Sequence, residues 1–323
     1  MALTSRLVAH IQRSVRVVGV VAFVAGAIVA TAVVLAGDPP ARARLQGVGN
    51  RFENAAMLPK LEPARPLSFL VIGGEAGGLV DALDRGLEAE PGASFALLAG
   101  DLAAEPIPRA YDLLLDRVAA LPARPPVFCL RGRHEAGADG VKIFSDRFGR
   151  RVFHFMYGDC LFLFLDNADG EVAQPQIAVF DRLLDVHGAR WRRIFAFVHR
   201  RPEPGGEAAL VDFCERRRVD AVIAGCADSD ARERRGGTEW VSIGAKGATA
   251  VAYEIDPSGE LHERVVARGV GSGPIARAVG AWRSDLSHRV ASRRGLAFGV
   301  AAALLLGGVA AWIGPRRRLA LKG

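Results

Sequence analysis

From Leu67 onward, short apolar runs alternate with stretches of helical period. The pattern predicts strands at 67–72, 94–98 and 126–130, with helices near 79–89 and 108–120 between them. It then changes character. Residues 151–156 and 160–165 flank Tyr157-Gly158-Asp159 as a hairpin, followed by a helix near 175–187, a strand at 194–198, a helix near 206–217 and a short strand at 219–223. The stretch 238–267 reads as three strands, with Asp256-Pro257-Ser258-Gly259 as a turn. Parallel units come first and antiparallel ribbons last, which predicts a layered α/β domain over 67–267 with more than one sheet.

Two apolar stretches lie outside this domain. Residues 17–37 carry no charge over 21 positions, about 31 Å of helix, which matches a hydrocarbon core of roughly 30 Å. Residues 296–314 are also uncharged, place Trp312 near one end and are closed by Pro315 and three arginines. Both are expected to be transmembrane helices; a cleaved secretion signal is the competing reading of the first, and a buried glycine-rich helix that of the second. The expected order is a cytoplasmic N-terminus (1–16), the first span, a linker (38–66), the domain, a juxtamembrane segment (268–295), the second span and a basic cytoplasmic tail (315–323).

Charge supports that order. The net +7 is carried by Arg6, Arg13 and Arg16 before the first span and by Arg316, Arg317, Arg318 and Lys322 after the second, while 35 basic and 35 acidic residues balance in between. Positive ends point to the cytoplasm, so the domain is expected in the periplasm, anchored in a bacterial inner membrane with the lipid bilayer as its partner. The neutral middle removes the case for nucleic acid that a basic chain would otherwise raise. Cys129, Cys160, Cys214 and Cys226 lack zinc-finger spacing and leave the redox compartment open.

In layered α/β proteins, functional groups collect where strands end. Here the strand ends carry Gly73-Gly74-Glu75-Ala76-Gly77, Gly100-Asp101, Gly132-Arg133-His134-Glu135, His199 and Gly225-Cys226-Ala227-Asp228. Their order and spacing resemble the calcineurin-like metallophosphoesterases over nearly all of 67–266, and the segment FLFLDN at 162–167 resembles that family's strand ending in Leu-Asp-Ser. The resemblance implies a sandwich of two mixed sheets flanked by helices, with two metal ions at the strand ends. It makes Asp101 the metal-bridging aspartate, His134 the histidine that helps protonate the leaving group, Glu135 the acid completing that signature, and His199 a metal ligand.

The departures fall on the other ligands. Gly74 and Ala76 stand where the family has aspartate and histidine, Arg133 replaces an asparagine ligand, and Cys226 and Asp228 replace two histidines. One ion would keep only Asp101 and Asp228 and is expected to be absent. The other retains Asp101, His199 and the Cys226 thiolate, a set that one zinc, manganese or iron ion is able to use with water as a fourth ligand. Against it, the guanidinium of Arg133 offers only donors and is expected to neutralise Asp101 and Asp228 in place of a metal. Read alone, Asp101 is also a plausible turn cap and Cys226 a plausible small buried residue.

Two functions follow from these residues. One is a membrane-anchored phosphoesterase-like domain, catalytically impaired, that serves as a binding or scaffolding module and holds a protein partner or a phosphate-like anion near Arg133, His134 and His199. The other is a hydrolase that cleaves a phosphoester with one metal on Asp101, His199 and Cys226.

Overall fold

A computed structural model describes residues 45–61, 66–74, 76–122, 124–187, 191–201, 208–227, 230–244 and 247–268. The two expected spans, both terminal segments, residues 269–295 and Asp228 lie outside the described residues. No helix among the described residues is long and apolar enough to cross a membrane.

The first sheet contains β1 (Leu67–Gly73), β2 (Ala96–Ala99) and β3 (Val127–Leu130), which run parallel, with β10 (Thr249–Ile255) antiparallel to β1 and β11 (Leu261–Arg268) antiparallel to β10, in the order β11-β10-β1-β2-β3. The second contains β4 (Phe153–Tyr157), β5 (Cys160–Phe164), β6 (Arg193–Arg200), β7 (Ala221–Ala227), β8 (Ala231–Arg235) and β9 (Thr238–Gly244), in the order β4-β5-β6-β7-β9-β8. Its four middle strands, β5, β6, β7 and β9, are parallel, and each edge strand is antiparallel to its neighbour.

Alternate residues of these strands serve two cores. Phe69, Phe128, Phe155, Phe162, Phe164, Phe195, Phe197 and Tyr253 face the space between the sheets. Their rings stack within and across the layers, with centroids 4.6 Å apart for Phe128 and Phe155 and 4.9 Å for Phe69 and Phe95. Buried aromatics of this size dominate a core's energetics. On the outer face of the first sheet, Leu70, Ile72, Ala96 and Leu98 pack against α2 (Leu79–Ala89), α3 (Pro108–Ala119) and α4 (Gly137–Phe148). On the outer face of the second, Leu161, Leu163, Ala196 and Val198 pack against α5 (Gln174–His187) and α6 (Ala208–Arg217). Burial on both faces explains why the parallel strands read as unbroken apolar runs.

Two elements escape the hydrophobic pattern. The strand β8 is ARERR, an edge strand whose charges shield its open side. The helix α4 begins GADG, and its two glycines lower helix propensity in the first turn while Phe144 and Phe148 alone among its large apolar residues are fully buried.

The linker reading of 38–66 also changes, because residues 45–61 pack onto the domain. Gly47–Asn50 run beside β3, with Val127 N donating to Gly47 O and Gly49 N to Val127 O, both at 2.8 Å. The Asn50 side chain, fully buried, donates to Cys129 O (2.6 Å) and Arg150 O (2.8 Å) and accepts from Cys129 N (3.0 Å). One short helix follows, α1 (Phe52–Ala55). The stretch is anchored by polar contacts and one fully buried Val48, so no apolar period marks it. Replacing Asn50 by Ala leaves backbone groups of Cys129 and Arg150 without partners and is expected to cost about 2–3 kcal/mol in chemical denaturation. A loss below about 0.5 kcal/mol would mean that the segment is a loose linker after all.

Candidate functional site

The C-terminal ends of β2, β3, β6 and β7 meet where the two sheets approach each other. A Cβ on Gly225 would overlap the Cβ of Ala99, so only glycine lets β7 lie this close to β2. The pairing of β7 with β9 shifts register between Ala224 and Ala227, a bulge of the kind that re-aims a side chain. Cys226 sits within it, opposite Arg200 of β6 and so next to His199 in register.

Asp101, His199 and Cys226 converge here. Each offers one donor atom, and the three atoms lie within 4.8 Å of one another. Asp101 is buried and has φ of +50°, a left-handed conformation that is costly for a non-glycine residue and clusters at functional sites. Its Oδ1 accepts from His134 N at 3.0 Å and lies 3.5 Å from His199 Nε2.

His199 is 1 % exposed, and its Nδ1 lies 2.9 Å from Ala99 O. A carbonyl only accepts, so the proton is on Nδ1 and the Nε2 lone pair is available. That Nε2 is buried with no hydrogen-bond partner. Burial also lowers the pKa of His199, which keeps the ring neutral. Asn167 fixes the backbone around it, accepting from His199 N (3.0 Å) and Arg200 N (3.2 Å). A fixed tautomer with its other nitrogen unpaired is how a metal-ligating histidine is held.

The two expected metal positions therefore differ. Asp101, His199 and Cys226 supply a carboxylate, an imidazole and a sulfur, a donor set that fits one divalent ion. The position of the first motif does not fit. Gly74 has φ of +115°, and a Cβ there would overlap the carbonyl oxygen of Gly247 and stand 2.8 Å from Ala248 Cα. The backbone has closed over the place where an aspartate would project. Ala76 opens a 3-10 turn, Ala76–Gly78, and carries no donor. Asp228 lies outside the described residues.

Arg133 does not clamp Asp101. The 3-10 turn Arg133–Glu135 directs Glu135 inward and leaves Arg133 and His134 exposed, and among the described residues Arg133 pairs with no acid. His134 Nδ1 stands 3.9 Å from Asp101 Oδ1. Glu135 accepts from Ala103 N (3.0 Å) and Gly132 N (2.8 Å), tying the loops after β2 and β3 together. Burial pushes its pKa up to about 7.

The arginine that matters structurally is one the motif did not indicate. Arg131 is buried and pairs with the equally buried Asp166 (3.0 Å), with Asp169, and with Glu135 O (3.1 Å), while Arg151 adds a second cation to Asp166 at 2.7 Å. Asp166 lies in the FLFLDN segment, 35 residues from Arg131. Its partner has no local sequence signal.

Two stability predictions follow from this contrast. Replacing Arg131 by Met takes the buried partner from Asp166, leaving it only the half-exposed Arg151, and is expected to cost about 3 kcal/mol, whereas Arg133→Ala is expected to change stability by less than about 0.5 kcal/mol; equal effects in urea titrations would refute the assignment. The second concerns Glu135. Its folded pKa lies above the unfolded value of 4.5, so its contribution is greatest below that pH and is lost as the pH rises towards about 7. The stability of wild type minus Glu135→Gln should therefore fall between about pH 5 and about pH 8, and a flat or rising difference would contradict it.

A model of the calcineurin-like phosphoesterases matches residues 34–225. Among solved structures, the chain is similar to a purple acid phosphatase from yellow lupin (Lupinus luteus) seeds at 12% identity and a TM-score of 0.48, over 64% of this chain and 55% of that one. It is similar to GAP50, the anchor in the inner membrane complex of Plasmodium, at 11% identity and a TM-score of 0.42, over 64% and 90%. A putative 5'-nucleotidase from Staphylococcus aureus aligns at 13% identity and a TM-score of 0.40, over 64% and 54%. The chain thus spans about half the length of the lupin phosphatase. The search of curated proteins found no match. With more than half of its length matched and the two mixed sheets in place, the chain belongs to the calcineurin-like phosphoesterase family.

Proposed function

We propose that this protein is a membrane-anchored member of the family that has given up two-metal hydrolysis and binds a phosphate-like anion, alone or on a protein partner, at the envelope. The observation that carries this reading is the closure at Gly74, where the backbone leaves no room for a carboxylate. In a two-metal site the ions clamp the attacking and leaving oxygens and generate the nucleophile. A centre confined to one position supplies part of that set at most.

The remaining groups suit capture of an anion. Arg133 and His134 are exposed on the turn whose backbone N–H reaches Asp101, and Arg200 is exposed directly after His199. A guanidinium matches phosphate oxygens with paired N–H groups. The expected placement in the membrane rests on the uncharged stretches 17–37 and 296–314 and their arginine-bearing flanks.

The grouping of Asp101, His199 and Cys226 favours the second reading, a mononuclear phosphoester hydrolase. If bound, the ion would supply Lewis acidity, and this chain would contribute His134 as proton donor and Arg133 as a charge partner for phosphate oxygens.

Full-length protein in detergent separates the two. With zinc, manganese or iron, hydrolysis of p-nitrophenyl phosphate and bis(p-nitrophenyl) phosphate is expected to stay at the protein-free level. Calorimetric titration with inorganic phosphate is expected to show binding that weakens about tenfold in Arg133→Ala. Turnover abolished by His134→Ala would establish the hydrolase instead. A β-galactosidase reporter fused after Gly323 is expected to be active, and an inactive one would reverse the orientation.

A further inference from the structure

We infer that Cys226 makes the surviving centre a thiolate site that takes zinc in preference to manganese or magnesium, with Asp101 and His199 as its other protein ligands. The inference rests on the reading of a one-metal centre and goes further by fixing the kind of ion and the residue that chooses it.

Geometry comes first. In a tetrahedral zinc site, with bonds of about 2.0 Å to oxygen or nitrogen and about 2.3 Å to sulfur, neighbouring ligand atoms lie about 3.3–3.5 Å apart. His199 Nε2 and Asp101 Oδ1 are already 3.5 Å apart, and no pair in the triad exceeds 4.8 Å. The largest gap needs at most about 1.5 Å of closure, which a change in side-chain torsion supplies.

The second argument is the unused nitrogen. His199 is buried, its proton is committed to Ala99 O, and its Nε2 has no hydrogen-bond partner. A buried acceptor left in that state costs free energy, which a cation bound on the lone pair recovers. Of the four cysteines only Cys226 stands beside this nitrogen; Cys129, Cys160 and Cys214 are buried in the cores.

Charge and softness then select the ion. One carboxylate and one thiolate balance a divalent cation, so the loaded triad is neutral in a mostly buried place. Magnesium and manganese favour all-oxygen or oxygen-rich shells, whereas a thiolate ligand favours zinc. The outward direction of Arg133 removes the repulsion that its place in the sequence suggests.

The test uses the full chain in detergent, purified without chelator and dialysed against equimolar zinc and manganese. Mass spectrometry of the metal is expected to find about one equivalent of zinc and about tenfold less manganese. Cobalt substitution is expected to give a thiolate-to-cobalt charge-transfer band in the near ultraviolet. That band should vanish in Cys226→Ser, while Cys226→His should keep the metal, lose the band and accept manganese more readily. Cobalt bound without the band in the wild type would overturn ligation by Cys226 and leave a one-metal centre standing. Manganese retained as well as zinc would overturn the selectivity, and no bound metal in folded protein would overturn both. The wild-type spectrum needs no variant to fold. Phosphoester turnover is a separate readout, because zinc bound through Cys226 is compatible with either outcome there.

Discussion

The close approach of the two sheets at their C-terminal strand ends is the constraint on which the site depends. Over most of their area the sheets are held apart by phenylalanine rings, at a spacing that would be too wide for side chains from opposite layers to share an ion. At Gly225 against Ala99 the rings give way to bare backbone. Asp101 from the first sheet then faces His199 and Cys226 from the second, and the His199 ring reaches across to the carbonyl of Ala99. The hydrogen bond between His199 and Ala99 is thus both a tie between layers and the device that sets the tautomer of the ring.

A second layer of polar contacts keeps the loops in place. Glu135 joins the loops after β2 and β3, Asn167 holds the end of β6, and Arg131 gathers Asp166 and Asp169 beneath the turn that carries His134. All of these groups but the exposed Asp169 are buried, and their value depends on every member being satisfied. The strand end at Gly74, which carries no side-chain ligand, is part of the same frame. Gly74 N donates to Gly225 O at 3.1 Å, so this strand end is stitched to its neighbour in the other sheet.

Strands such as β1 and β6 were legible because burial on both faces leaves an unbroken apolar run. The strand β8 and the helix α4 were not, since an edge strand built of charges and a helix opening on two glycines both lack the expected period. At the site, Asp101, His199 and Cys226 could be placed from their positions after strands and from the family resemblance. Side-chain direction could not. Arg133 has the chemistry to pair with Asp101, but one 3-10 turn points it to solvent. Arg131, two residues earlier, meets acids 35 and 38 residues away, a contact set by tertiary packing alone.

The strand-like run Gly47–Asn50 also defines how force would pass through the domain. It lies beyond β3 at one edge of the first sheet, and β11 ends at the other, with the order β3-β2-β1-β10-β11 between them. Five strand spacings of about 4.8 Å separate the two exits by roughly 24 Å. A pull applied between residue 47 and residue 268 would therefore load the ladders of the whole sheet in series. At that end the load passes through the few bonds of Gly47 to Val127 and of Asn50 to Cys129, and so to the strand that leads into the turn bearing His134.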